Sequence, residues 1–213
     1  MPQPNQSLFS SRLPPTVSPK LAAFGTLLAE VAPGLVVGCY LTGSLALDAF
    51  DEERSDIDFV AALARPAAAS ELASLQRVQE EIERRYRCWP LEGSYLQLSD
   101  LGHLPPQIAP YPCYSAGKFH SAGLHDLNPV TWWLLKERSI ALLGPPPQEL
   151  PFTVAWAVVT DYMHANLHSY WSQFARPSRR LASLLTDWGV EWAVLGICRL
   201  WHALRLGAIT SKV

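Results

Sequence analysis

Two short apolar runs, separated by an acidic loop, constrain this chain more than any other feature of its sequence. The runs Leu35–Leu41 and Ile57–Leu63 have the length and composition of buried β-strands. Asp56 and Asp58 lie at the start of the second run, and residues two apart in a strand point to the same face. The two carboxylates are therefore expected to project together, while Ile57 between them faces the core.

Two carboxylates that project together repel each other unless a cation lies between them. A hard divalent ion such as Mg²⁺ suits this position, because it takes oxygen ligands and bridges to the phosphates of a substrate. Gly43-Ser44, at the end of the first run, offers backbone N–H groups and a hydroxyl to phosphate oxygens. The alternative interpretation is a surface turn and a strand with two solvated aspartates, because short acidic motifs are common by chance.

Composition narrows the class of partner. The chain has 213 residues and a net charge of -2, without a long basic run. Binding to a nucleic-acid backbone needs clustered Lys and Arg, so no nucleic-acid partner is expected and a small acceptor is favoured. The cysteines form no C-x-x-C pair, so a zinc site is not expected. The first residues lack the pattern of a signal peptide, and no apolar run reaches about 18 residues, so neither a signal peptide nor a membrane span is expected. A cytoplasmic location without a membrane partner is expected.

The order of elements predicts two domains after a flexible, proline-rich segment at 1–16. Helical spacing and turn residues predict helices near 18–34, 67–86 and 130–137, and a third strand over Leu91–Leu98. Four prolines between residues 99 and 127 predict no regular structure there. The run Pro145-Pro146-Pro147 predicts a boundary between a sheet domain at 17–147 and a helical domain at 148–213.

The helical domain is predicted from two long segments with helical periodicity. They are residues 153–174 and 180–206, joined by a turn at Ala175-Arg176-Pro177-Ser178. This region carries most of the tryptophans of the chain. Tryptophans are expected to form the core of the domain more often than platforms for a ligand.

Glu92 is a lone acidic residue at the start of the third predicted strand. A neighbouring strand in the same sheet brings it beside Asp56 and Asp58. There it would complete a metal shell or take a proton from an acceptor hydroxyl, which requires hydrogen-bond reach first. The alternative is a solvated residue at a strand end.

Three segments together resemble the aminoglycoside (3″)(9)-O-adenylyltransferase family, within the DNA polymerase β-like nucleotidyltransferase superfamily. They are Gly43-Ser44 with Ser55-Asp56-Ile57-Asp58, then Leu135–Pro145, then Arg199-Leu200-Trp201 with Gly207–Lys212. The resemblance implies an α+β fold, in which a nucleotidyltransferase domain with a mixed β-sheet and flanking helices precedes a C-terminal α-helical bundle. It also implies a Mg-dependent adenylyltransferase with ATP as co-substrate, which would confer resistance to an antibiotic.

The resemblance also implies roles for individual residues. Asp56 and Asp58 would bind Mg²⁺, as a pair of ions, with Glu92 as catalytic base or third metal ligand. Gly43, Ser44, Arg199 and Lys212 would bind the ATP phosphates, although helix-end charge is an ordinary alternative for the two basic residues. The positions at which the family holds the aminoglycoside fall near Gly189 and Trp192 here, so the residues for transfer match and those for the acceptor do not.

The family's helical domain continues beyond the position that Lys212 matches, so a truncated form or missing terminal helices are expected. The predicted reaction moves AMP from ATP to a hydroxyl of a small acceptor, such as streptomycin or spectinomycin. Two other hypotheses stay open. One is a nucleotidyltransferase that modifies a protein or RNA, as in toxin–antitoxin relatives, and the net charge of -2 weighs against RNA. The other is a nonenzymatic nucleotide-binding protein.

Overall fold

The computed structural model describes residues 12–31, 33–105, 107–124, 127–174 and 186–211. The chain divides into two compact units, Met1–Val154 and Ala155–Val213. Among the described residues, no helix is both long and apolar enough to cross a bilayer.

The first unit combines one six-stranded sheet with four helices. In chain order its elements are α1 (Ser18–Val31), β1 (Val36–Leu41), α2 (Gly43–Ala46), β2 (Ile57–Leu63), α3 (Ala69–Arg85), β3 (Leu91–Gln97), β4 (Tyr111–Ser115), β5 (Lys118–Gly123), α4 (Pro129–Glu137) and β6 (Ile140–Leu143). Short 3₁₀ turns follow β3 at Leu98–Asp100 and β6 at Pro147–Glu149.

The sheet is mixed, with the strand order β5-β4-β3-β2-β1-β6. The β2–β3 pair is parallel, and the other pairs are antiparallel. The end of β1, the beginnings of β2 and β3, and the turn from β4 to β5 therefore lie at one edge of the sheet. This edge carries most of the residues that the sequence analysis singled out.

Alternating strand residues bury two apolar faces. Phe59 of β2 packs edge-on against Phe24 of α1, with ring centroids 5.1 Å apart, on the face that α1 and α3 cover. Val60, the next residue, belongs to the opposite core together with Trp132 of α4. Burying side chains of this size contributes about 1.5–3 kcal/mol each to the free energy of folding. Both cores fix β2 and therefore the residues at its beginning.

Helix α4 shows how local sequence sets an element boundary. The Asn128 side chain accepts hydrogen bonds from the N–H groups of Val130 and Thr131, and Pro129 occupies the first turn. Proline is tolerated there because its missing N–H would have no partner within the helix. The predicted helix at 130–137 is therefore confirmed to within one residue.

The proline-rich stretch is more regular than its composition predicts. The expectation of no regular structure at 99–127 is wrong, because β4 and β5 form there. Pro112 lies within β4 where the register shifts: Tyr111 pairs with Gly123 and Cys113 pairs with His120. An irregularity of this kind admits a proline, which has no N–H for the ladder.

Residues 12–16, which were predicted to be part of the flexible segment, pack against the rest of the first unit. Leu13 is buried in the core, and the Thr16 hydroxyl donates to Glu52 Oε1 at 2.9 Å. Residues 1–11 lie outside the described residues. At the other end of the unit, Leu150 and Phe152 pack with the core around Trp132, so the compact unit extends to Val154 rather than ending at Pro147.

The second unit is helical. Its elements are α5 (Trp156–Asn166), a π-helical turn (Leu167–Trp171), α6 (Ser172–Phe174) and α7 (Asp187–Leu206). Thr186 caps α7 by accepting from the Gly189 N–H at 3.1 Å. The predicted turn at 175–178 and the predicted helix start at 180–185 lie outside the described residues.

Tryptophans contribute to the core of the second unit, as expected, but not every tryptophan is buried. Trp171 is buried, and its ring lies 4.8 Å from that of Trp192 and 5.6 Å from that of Phe174. Trp201, farther along α7, is 61% exposed. Together the two units confirm the predicted α+β class, a mixed sheet with flanking helices followed by a helical region.

Candidate functional site

Gly43 begins α2 at the edge of the sheet, directly beside Asp58. The Thr42 N–H donates a hydrogen bond of 2.9 Å to the Asp58 carbonyl, which ties the end of β1 to the start of β2. Gly43 has a φ of 57°, and a Cβ at this position would collide with the Asp58 carboxylate. Only glycine allows both the backbone conformation and the close approach.

Ser44 presents a hydroxyl without a protein partner. Its Oγ atom is buried and forms no hydrogen bond with any described residue. Buried polar atoms usually have a partner, and an exception needs an explanation such as a missing ligand. The Tyr40 hydroxyl and Gln79 Oε1 share this condition but belong to fully buried core side chains. Ser44 is only half-buried as a residue and follows Gly43 at the edge of the sheet, so its hydroxyl is a candidate donor to a ligand oxygen.

Asp58 and Glu92 are register partners in the parallel β2–β3 pair. Partners of this kind project from the same face, about 4.8 Å apart in the direction of the ladder. Both residues are half-buried, whereas Asp56 precedes β2 and is exposed. The structure therefore brings two of the three predicted carboxylate residues together by backbone register.

The three predicted metal ligands do not form one compact group. Within the part of the chain that the structure describes, no three His, Cys, Asp or Glu side chains lie close enough to hold a metal ion. Mg²⁺ is commonly bound by one or two carboxylates and by the phosphates of its substrate. Asp56 and Asp58 supply the carboxylate oxygens that this mode needs, and the Asp58 carboxylate lies beside Gly43.

The turn between β4 and β5 contacts Glu92 and was missed by the sequence analysis. The Ala116 N–H donates to Glu92 Oε1 at 2.9 Å. Gly117, between two segments rich in aromatic residues, was the available signal, because a two-residue turn with glycine is typical of a hairpin. Lys118 follows this turn and begins β5.

Two arginines, Arg12 and Arg138, form hydrogen bonds with residues at the end of α2. Arg12 donates to the Ala46 carbonyl at 2.9 Å and to Asp48 Oδ1 at 3.2 Å, and Arg138 donates to Asp48 Oδ2 at 3.2 Å. These contacts fix the end of the short helix that begins with Gly43. No local sequence pattern predicts these contacts, because they join residues from three distant parts of the chain.

Comparisons with known proteins add a fold-level finding. No protein-family profile matches the chain, and no curated protein matches its sequence. One solved structure that it resembles is the spectinomycin adenyltransferase from Enterococcus faecialis, crystallised with ATP and spectinomycin. The TM-score is 0.63 at 14% sequence identity, over 91% of this chain and 78% of that chain. The chain therefore shares its fold with that adenyltransferase.

The remaining predicted residues, Arg199 and Lys212, belong to the second unit. Arg199 lies on α7 and is half-buried. Lys212 lies outside the described residues. Contacts of either residue with a nucleotide therefore remain predictions, based on the resemblance of their segments.

Proposed function

We propose that this protein is a nucleotidyltransferase that moves AMP from ATP to a hydroxyl of a small acceptor. One observation supports this most directly: Asp58 lies between Gly43, whose backbone its carboxylate contacts, and Glu92, its register partner. Phosphoryl transfer requires a phosphate-binding turn, a metal-binding carboxylate and a proton acceptor close together. These three residues would supply them side by side. The nucleotidyltransferase-like fold agrees with this assignment.

Gly43 and Ser44 are the proposed phosphate-binding residues. Because Gly43 lacks a side chain, its backbone lies directly beside the Asp58 carboxylate, and the Ser44 hydroxyl has no hydrogen-bond partner among the described residues. A hydroxyl can donate to a phosphate oxygen, and a hydrogen bond to a charged group contributes about 1.5–3 kcal/mol. Arg199 and Lys212 are proposed, from the resemblance alone, to neutralise the outer phosphates.

Asp56 and Asp58 are the residues that would hold Mg²⁺. When bound, Mg²⁺ neutralises the charge of the triphosphate and of its leaving group. Asp58 is held rigidly for this role, because its carbonyl accepts from Thr42 and its strand is buried on both faces. Asp56, before the strand, is exposed.

Glu92 is the proposed general base. One oxygen of its carboxylate accepts the Ala116 N–H, which leaves the other oxygen for the acceptor hydroxyl. The hydroxyl oxygen attacks the α-phosphorus, its proton passes to Glu92, and the bond to pyrophosphate breaks. The products are an AMP ester and pyrophosphate, and positioning contributes most of the rate enhancement.

An aminoglycoside such as spectinomycin or streptomycin is the proposed acceptor, on the basis of the sequence resemblance and of the neighbour that was crystallised with spectinomycin. A protein acceptor is the alternative, and a nucleotide-binding protein without transfer activity is a third hypothesis. Pyrophosphate release from ATP should be measured with aminoglycosides and with hydroxyl-bearing proteins. Release only with an aminoglycoside supports the proposal, whereas ATP binding without release for any acceptor contradicts it.

A further inference from the structure

The two-residue turn between β4 and β5 lies against Glu92. Its central residues, Ala116 and Gly117, have φ angles of 49° and 72°. This left-handed conformation matches the twist of a hairpin with a two-residue loop, but it is unfavourable for alanine. The turn nevertheless directs the Ala116 N–H at Glu92 Oε1, 2.9 Å away.

The order of the strands places this turn on the acceptor side of the proposed site. Strands β1 and β2 lie on one side of β3, and β4 and β5 lie on the other. Gly43 and Ser44 follow β1, so the leaving phosphates belong to the β1 side. In an in-line displacement the attacking and leaving oxygens lie on opposite sides of the phosphorus. The acceptor is therefore expected beside the β4–β5 turn.

Glu92 needs a restraint on this side. Asp58 faces it directly across the β2–β3 pair, and like charges opposite each other on neighbouring strands repel. Glu92 has several rotatable bonds, so repulsion from Asp58 can turn its carboxylate away from the acceptor. The Ala116 N–H, on the next strand pair, opposes that movement because it holds one oxygen of the carboxylate.

We infer that the β4–β5 turn is a positioning element, in which the Ala116 N–H orients the Glu92 carboxylate toward the acceptor hydroxyl. This inference rests on the proposed role of Glu92 as general base. The left-handed conformation of Gly117 maintains the direction of that N–H. The turn thus acts on catalysis through Glu92 and makes no contact of its own with the reacting atoms.

Gly117→Ala tests the inference with little steric complication. Gly117 has nothing within 4 Å of a Cβ added at its position, so the substitution acts only through the backbone conformation. Gly34, between α1 and β1, is a matched control: its φ is 76° and nothing lies within 4 Å of its added Cβ. Asn adopts the left-handed conformation more readily than Ala, so Gly117→Asn should preserve the turn.

Steady-state kinetics with ATP and spectinomycin provide the main measurement. We expect Gly117→Ala to lower kcat about tenfold while KM for ATP changes less than about twofold. Gly34→Ala should lose thermal stability to a similar extent and keep the wild-type kcat, and Gly117→Asn should restore most of the activity. An unchanged kcat in Gly117→Ala, or an equal decrease in Gly34→Ala, would overturn the inference.

A measurement without an acceptor separates this inference from the proposed function. The Ala116 amide resonance and its hydrogen exchange should change in Glu92→Ala, which lacks the acceptor oxygen, and less in Glu92→Gln, which keeps one. An amide that is indifferent to Glu92→Ala overturns the contact itself. Absence of transfer by the wild-type protein, with spectinomycin or streptomycin, overturns the proposed function and the catalytic role of the turn, even where the amide responds.

Discussion

Asp58 and Glu92 face each other across two parallel strands, in register and on the same side of the sheet. Like charges in this arrangement destabilise a sheet when nothing compensates them. The surroundings supply part of the compensation, because the Ala116 N–H donates to Glu92. A divalent cation at Asp58 would supply more. The pair is therefore the central feature of the proposed site.

Substitution of Gly43 should abolish transfer. A Cβ at position 43 collides with the Asp58 carboxylate, and φ is 57°, so either α2 or Asp58 must move. We expect Gly43→Ala to lower kcat at least about 100-fold and to destabilise the fold by about 1–3 kcal/mol. Pyrophosphate release and urea unfolding report the two effects. Gly34→Ala, which has a similar φ without a collision, separates backbone strain from displacement of Asp58; equal activity losses in the two variants would contradict the assignment.

Removal of the Ser44 hydroxyl should weaken ATP binding without weakening the fold. Because Oγ has no hydrogen-bond partner among the described residues, Ser44→Ala should change the free energy of unfolding by less than about 0.5 kcal/mol. ATP affinity, measured by calorimetry, should decrease about 10- to 150-fold, the effect of one hydrogen bond to a charged phosphate.

Ser139→Ala is the matched control for that measurement. The Ser139 hydroxyl is also buried, but it donates to the Leu135 carbonyl. Its loss should destabilise the fold by about 1 kcal/mol and leave ATP affinity unchanged. The reverse pattern, with stability lost in Ser44→Ala and affinity lost in Ser139→Ala, would show that the Ser44 hydroxyl does not bind phosphate.

Lys20 should be the most sensitive charged residue for stability. Its side chain is 1% exposed, and its ammonium lies 2.9 Å from Glu83 Oε1 and 2.7 Å from the Trp89 carbonyl. Glu83 also accepts the Leu91 N–H, at the start of β3. Lys20→Met leaves these groups without their cation, and we expect a loss of about 3–5 kcal/mol in urea unfolding.

A double-mutant cycle with Glu83→Gln tests whether the Lys20–Glu83 pair acts as a unit. The double variant should lose less stability than the sum of the single variants, because each single change leaves the other partner uncompensated. Additive losses, or a loss below about 1 kcal/mol for Lys20→Met, would show that the pair does not hold the start of β3.

Much of the first unit could be predicted because its signals are local. The apolar run of β2 and the cap of α4 depend on neighbouring residues, and both agree with the structure. Alternation along β2 also predicted that Ile57 is buried. The prediction of no regular structure around Pro112 was wrong. The register irregularity that admits this proline depends on the partner strand and not on the sequence of β4 alone.

The candidate site was predictable only in part. Asp58 and Glu92 could be named from their positions at strand starts, but their parallel register depends on the whole sheet. The support of α2 by Arg12 joins residues far apart in sequence, so no local pattern indicates it. The Ala116–Glu92 hydrogen bond likewise arises from strand order.

Adenylyl transfer by Asp58→Asn compared with wild type tests the central claim most directly. The substitution keeps the size of the side chain and removes the charge that would hold Mg²⁺, so circular dichroism should be unchanged. With ATP, Mg²⁺ and spectinomycin or streptomycin, the wild-type protein should release pyrophosphate and add one adenylyl group to the acceptor, and Asp58→Asn should be at least about 100-fold slower. A well-folded Asp58→Asn variant that transfers at the wild-type rate would contradict the account.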